Sequence, residues 1–151
     1  MKSSSLQLVL LASIFGFFSS IAAYFIQALI LSFFQGVLQN IFFIFFFVLI
    51  EEIAKFLFIK KLFGYIILTV PFVILSGFFF GFGFSLLELF FIHSSSYSNP
   101  SAFTFFPLLI HITTSALWSY GFYKHSKTFL FGLLAIILHL SYNIIIFFFF
   151  S

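Results

Sequence analysis

From Leu6 to Phe34 the chain carries no charged residue, and comparable apolar stretches recur to its end. About 20 apolar residues, rising roughly 1.5 Å each, cross the hydrocarbon core of a bilayer as a helix. No water is available there to bond exposed amides, so the backbone must satisfy itself within each segment. The expectation is an all-α integral membrane protein, a polytopic bundle forming one domain over residues 1–151. Composition agrees. Only 6% of residues are charged against 64% hydrophobic, whereas a soluble domain carries about 25% charged residues. Phenylalanine supplies 32 of the 151 residues and reads as lipid-facing filler.

Five spans are expected, at about 6–34, 37–59, 72–92, 102–123 and 128–150. The first competes with a signal peptide cleaved near Ser20-Ile21-Ala22, but its apolar region is too long and continues past Ala22. Gln35-Gly36 and Gln39-Asn40 mark a tight turn, and Lys60-Lys61 ends the second span. Leu62 to Ile92 would measure roughly 46 Å as one straight helix, too long for a simple crossing. Pro71 resolves this with a kink, or with a short interfacial piece before it. In the following span Gly77, Gly81 and Ser85 recur every four residues, a stripe that admits close helix contact, and Glu88 lies on it. His93 to Ser101 reads as a solvated loop, and Lys124 to Lys127 as a short basic one. Five crossings put Lys2, Lys60, Lys61, Lys124 and Lys127 on one side. The positive-inside rule makes that side, and the N-terminus, cytoplasmic. The expected location is the cell membrane of a prokaryote, with the lipid bilayer as a constant partner. The formal charge of +3, carried by lysines scattered among short loops, does not suggest nucleic-acid binding.

Charge inside the spans is confined to Glu51, Glu52, Lys55 and Glu88. Glu51 and Glu52 precede Lys55 by four and three residues, so on a helix both can reach one ammonium. Ionisable groups at membrane depth are costly, face the protein interior and tend to carry function. A buried ion pair that only locks packing is the plainer reading. Against it stand further polar groups at compatible depth. His111 is followed on its helix face by Thr114 and Ser115, and His139 shares a face with Asn143. Counted from the basic loops, the paired glutamates lie roughly 12–14 Å deep and the two histidines roughly 18–20 Å. Glu88, about 8 Å from the outer end, fits this level least well. His93 and His125 fall in loops or at their edges and receive no role.

Absent residues narrow the chemistry. The chain has no cysteine, hence no disulfide, thiol nucleophile or thiolate metal site. With no aspartate, a paired-aspartate protease is excluded, and His-Glu-x-x-His does not occur. Ser76-Gly77 is a weak serine-nucleophile candidate, because Ile74 stands where a Gly-x-Ser-Gly pattern wants glycine. What remains is a carboxylate that activates water, with Lys55 holding one member of the pair charged.

Glu51-Glu52-x-x-Lys55, Gly81-Phe82-Gly83-Phe84-Ser85-Leu86-Leu87-Glu88, His111 with Ser115-Ala116-Leu117-Trp118, and His139-x-x-x-Asn143 follow one another along the chain. In that order they resemble the PrsW family. This family belongs to the CAAX-protease and bacteriocin-processing (CPBP/Abi) group of glutamate-type intramembrane proteases. The resemblance covers about Ile41 to Asn143, roughly two thirds of the chain. Each motif alone is weak, whereas their order and the inclusion of all three acids make the set more specific. Lys55 favours the PrsW branch, since CAAX proteases usually place the basic residue where Phe56 stands. Two features depart from the family: Leu89 follows Glu88 where Glu-Asn is common, and the chain is shorter than typical members.

The resemblance implies cleavage of a membrane-embedded or lipid-anchored protein or peptide, without a cofactor. It implies Glu51 or Glu52 as the base, with Lys55 fixing the charge of the pair. His111 would share in proton transfer or water positioning, His139 and Asn143 would stabilise the oxyanion, and Glu88 would be a third polar member. Two other readings use the same residues. In one, His111, His139 and a glutamate bind zinc or another divalent ion that activates the water. In the other, the chain is a non-catalytic scaffold, an immunity protein or a small proton or ion carrier. The same fold serves as a non-proteolytic subunit of the gamma-secretase complex, so a shared fold leaves activity open.

Overall fold

A computed structural model describes residues 5–34, 41–64, 69–94 and 105–150. Among them the chain is all-α. The helices are α1 (Ser5–Phe33), α2 (Ile41–Leu62), α3 (Val70–Ser94), α4 (Phe106–Tyr123) and α5 (Thr128–Phe150). The expected turn at Gln35 to Asn40, most of the polar loop before Ser101, and Lys2 lie outside the described residues.

Proline acts differently from the expected kink. Pro71 is the second residue of α3. There a missing N–H leaves no hydrogen bond unmade, so the ring starts the helix instead of bending it. Pro107 occupies the same kind of place in α4. Between α4 and α5 the reversal is short. His125 adopts a left-handed backbone (φ 36°), and a single 3₁₀ turn, His125–Lys127, follows. The Thr128 hydroxyl closes the corner, lying 2.9 Å from both the Gly121 and His125 carbonyl oxygens.

Among the described residues, three segments are long and apolar enough to cross a membrane: Leu6–Phe33, Val70–Phe91 and His125–Phe148. The chain is therefore a multi-pass membrane protein. α2 and α4 differ because they carry most of the interior polarity, Glu51, Glu52 and Lys55 on one and His111, Thr114 and Ser115 on the other. Large apolar side chains, among them Phe18, Phe25, Phe46, Phe90 and Phe129, cover the outer surface. Water would not tolerate so continuous an apolar coat, whereas acyl chains match it.

Packing runs α1 on α3, α3 on α4 and α4 on α5, with α2 laid against α1, α4 and α5. In lipid, apolar contact alone does not drive helices together, and close backbone approach replaces it. Gly81 provides this on α3, where a Cβ would strike the His111 carbonyl and the Ile112 Cα of α4. Gly83, turned the other way, meets the Ser13 backbone of α1. α3 is thus clamped on two faces, which sets its register against the helix that bears His111.

Candidate functional site

Glu52 is the centre of the buried polar network. Its side chain is 0% exposed, and its two oxygens meet three donors. Lys55 Nζ donates to Oε1 at 2.6 Å from one turn along α2. His139 Nδ1, from α5, lies 2.7 Å from the same oxygen. Trp118 Nε1, from α4, donates to Oε2 at 2.8 Å. Lys55 is among the large side chains that are fully buried. Beyond Glu52, its ammonium donates to Thr114 Oγ1 at 2.8 Å and lies 4.8 Å from the centre of the Phe84 ring. The charged pair is taken out of lipid by three other helices, as buried charge requires.

Glu51 sits differently, though it is the adjacent residue. Its side chain is 13% exposed, and its Oε2 lies 3.6 Å from His139 Nε2. Gln27 Nε2, from α1, donates to Glu51 Oε1 at 3.0 Å and to the Phe47 carbonyl at 3.3 Å. Glu51 also borders a cavity of about 420 Å³, lined by Tyr24, Gln27, Phe47 and Asn143 among others. The imidazole of His139 thus stands between the carboxylates, with one nitrogen toward each. A successive pair on a helix points about 100° apart, which is why one glutamate faces the packed interior and the other the cavity.

The second histidine joins through α3. His111 Nε2 lies 2.6 Å from Glu88 Oε2, and its ring centre is 5.0 Å from that of His139, edge to face. Its Nδ1 is buried without a hydrogen-bond partner among the described residues. Glu88 reaches His111, although its place in the sequence fits that level least well, because Gly81 lets α3 lie against the His111 backbone.

The structure brings Glu51, Glu52, Lys55, Glu88, His111 and His139 into one connected group drawn from four helices. Asn143 lines the cavity that Glu51 borders. Ser76, the weak nucleophile candidate, bonds back to the Val73 carbonyl at 2.8 Å. Three contributors were not assigned roles from the sequence: Gln27, Thr114 and Trp118. Gln27 had a legible signal, a lone amide in the first apolar span. Trp118 enters only as the end of the motif after His111, since an indole in a hydrophobic helix looks like any packing residue until its N–H finds a carboxylate.

One atom from each of Glu51, His111 and His139 lies within 4.8 Å of the other two, close enough for a shared ion. The arrangement can therefore offer a base beside a cavity, a proton path through two imidazoles, or a nitrogen and oxygen ligand set. Compared with protein-family models, with curated proteins and with solved structures, the chain matches none of them.

Proposed function

We propose that this protein is an intramembrane peptide hydrolase of the PrsW kind, related to the CAAX-protease and bacteriocin-processing group. All five helices cross the cell membrane of a prokaryote, with the N-terminus in the cytoplasm. One observation carries the reading. Of two adjacent glutamates, Glu52 is saturated by three donors while Glu51 looks into a cavity with His139 at its other oxygen. A base must reach a reacting atom from a fixed position, and this division of labour supplies both requirements.

Glu51 takes a proton from a water as that water attacks the substrate carbonyl carbon. The tetrahedral oxyanion is met by Asn143 on the cavity wall, with His139 behind Glu51. The proton then passes to the leaving amine, and the carbon–nitrogen bond breaks. Glu52, Lys55 and Trp118 position His139. His111, braced by Glu88, stands behind it to relay or orient. The substrate is a membrane-embedded or lipid-anchored protein or peptide, since the cavity is walled by apolar side chains of α1 and α2.

Membrane-protein fragments from cells expressing wild type or Glu51→Gln should be compared across the proteome. Fragments present only with wild type are expected. Identical fragment patterns would remove the hydrolytic reading, and full cleavage by a Glu51→Gln/Glu52→Gln double variant would remove this site. Proton flux in liposomes that survives both substitutions would instead favour a carrier.

A further inference from the structure

We propose that the pocket where the end of α2 meets the corner between α4 and α5 binds the phosphate of an anionic glycerophospholipid, with Lys60 and His125 as its polar contacts. The site is separate from the cluster of carboxylates and histidines. Lys60 lies eight residues beyond Glu52, roughly 12 Å along α2. Lipid binding there does not depend on whether the protein cleaves peptides.

A cavity of about 400 Å³ opens at this corner, lined by Lys60, Phe63, Gly64, Phe122, His125 and Thr128. Its size falls within the range of small-ligand sites. Segments far apart in the chain build it. The rings of Phe63 and Phe122 meet edge to face with centres 5.8 Å apart, which joins the end of α2 to α4. The other wall is held by the Thr128 hydroxyl, 2.9 Å from both the Gly121 and His125 carbonyl oxygens. Those contacts keep His125, with its left-handed backbone, in place on the pocket wall.

Charge decides what fits. All three acids of the chain, Glu51, Glu52 and Glu88, belong to the buried cluster, so no side-chain carboxylate neutralises this pocket. Lys61, Lys124 and Lys127 are exposed on the same helix ends and corner, which gives this end of the bundle a positive field. α5 starts at Thr128, and its amino end adds a fractional positive charge. A lipid phosphate suits the place better than a phosphate free in water. Leu57, one turn deeper on the face of α2 that carries Lys60, is 55% exposed, and Phe129, next to Thr128, is 84% exposed. Acyl chains cover such residues while the headgroup occupies the cavity, and basic pockets between transmembrane helices take anionic headgroups in this way. Attraction of scattered lysines to an anionic surface would need no cavity, and the two cases predict different responses to substitution.

The test uses the full chain, delipidated in detergent and titrated with phosphatidylglycerol or phosphatidylcholine, with bound lipids counted by native mass spectrometry. One phosphatidylglycerol per chain is expected, held at least about fivefold more tightly than phosphatidylcholine. Lys60→Gln and His125→Ala should each weaken it about fivefold, the worth of one lysine at a lipid surface or one hydrogen bond. Gly64→Leu fills the cavity without changing charge and should weaken binding to a similar degree. A Cβ at 64 meets only the Lys61 carbonyl, at 3.2 Å, among the described residues, so the fold tolerates it. Lys127→Gln removes the same charge as Lys60→Gln from outside the cavity wall, and should change binding by less than about twofold because exposed charges are screened. Equal binding of the two lipids overturns the site. Equal losses for Lys60→Gln and Lys127→Gln, or no loss for Gly64→Leu, also overturn it in favour of diffuse attraction. Displacement of phosphatidylglycerol by millimolar inorganic phosphate would make the ligand a free anion and overturn the lipid assignment. Thermal unfolding verifies each variant, and Gly64→Leu with the wild-type lipid comparison decides the matter if a charge variant does not fold.

Discussion

Glu51 and Glu52 are neighbours in sequence, yet substitution should affect them in different ways. Glu52→Gln removes the charge that offsets Lys55, which is 0% exposed. An uncompensated buried ammonium costs about 3 kcal/mol or more. Glu51→Gln loses an oxygen at the cavity edge and strands no cation, so its thermal unfolding should stay close to wild type while cleavage is lost. Melting curves of the two purified variants in one detergent check this. A second comparison isolates the pair. Lys55→Met alone leaves Glu52 with two of its three donors, and Glu52→Gln/Lys55→Met removes both charges together. The double variant should be more stable than Glu52→Gln alone, because a missing ion pair is less costly than a broken one. Equal or greater loss in the double variant would show that Lys55 contributes mainly through Thr114 and Phe84.

At the scale of the helix, the site depends on how near α3 can come to α4. Gly81 lies against the backbone of His111 itself, and two turns further along α3 Glu88 reaches that residue's ring. A side chain at 81 would push the two helices apart where a backbone contact and a buried hydrogen bond share a residue. Gly81→Leu is expected to destabilise by roughly 2–3 kcal/mol, the usual scale of overpacking. It should also break the Glu88–His111 bond. Thermal unfolding gives the first effect. A single-residue control, Gly64→Leu, should cost less, since among the described residues a Cβ there meets the Lys61 carbonyl alone, at 3.2 Å, against several backbone atoms under 3 Å at Gly81. The α3 stripe was readable as a packing face from its spacing of four. Its partner helix was not readable, because any helix offers a groove to a line of small residues.

For the whole molecule, the absence of cysteine makes topology directly measurable. Single cysteines at Lys61 and Lys127 should react with a membrane-impermeant maleimide only from the cytoplasmic side. One at Ser96 should react only from outside. Labelling of Lys127→Cys and Ser96→Cys from the same face would overturn five crossings. Much of this level was open to reading from the chain alone. Long uncharged runs must become helices in lipid because the backbone has no other partner there. Rare charges must turn inward because acyl chains cannot solvate them. Helices, inward-facing acids and a membrane address follow from local physics that each segment carries with it. Which carboxylate is locked and which is left at a cavity does not. Nor do the placement of His139 between the two glutamates, the recruitment of Gln27 and Trp118 from distant helices, or the nitrogen of His111 left without a partner. Those depend on rotation and depth of one helix against another, and a few ångströms of either are set by glycine contacts between segments far apart in the chain.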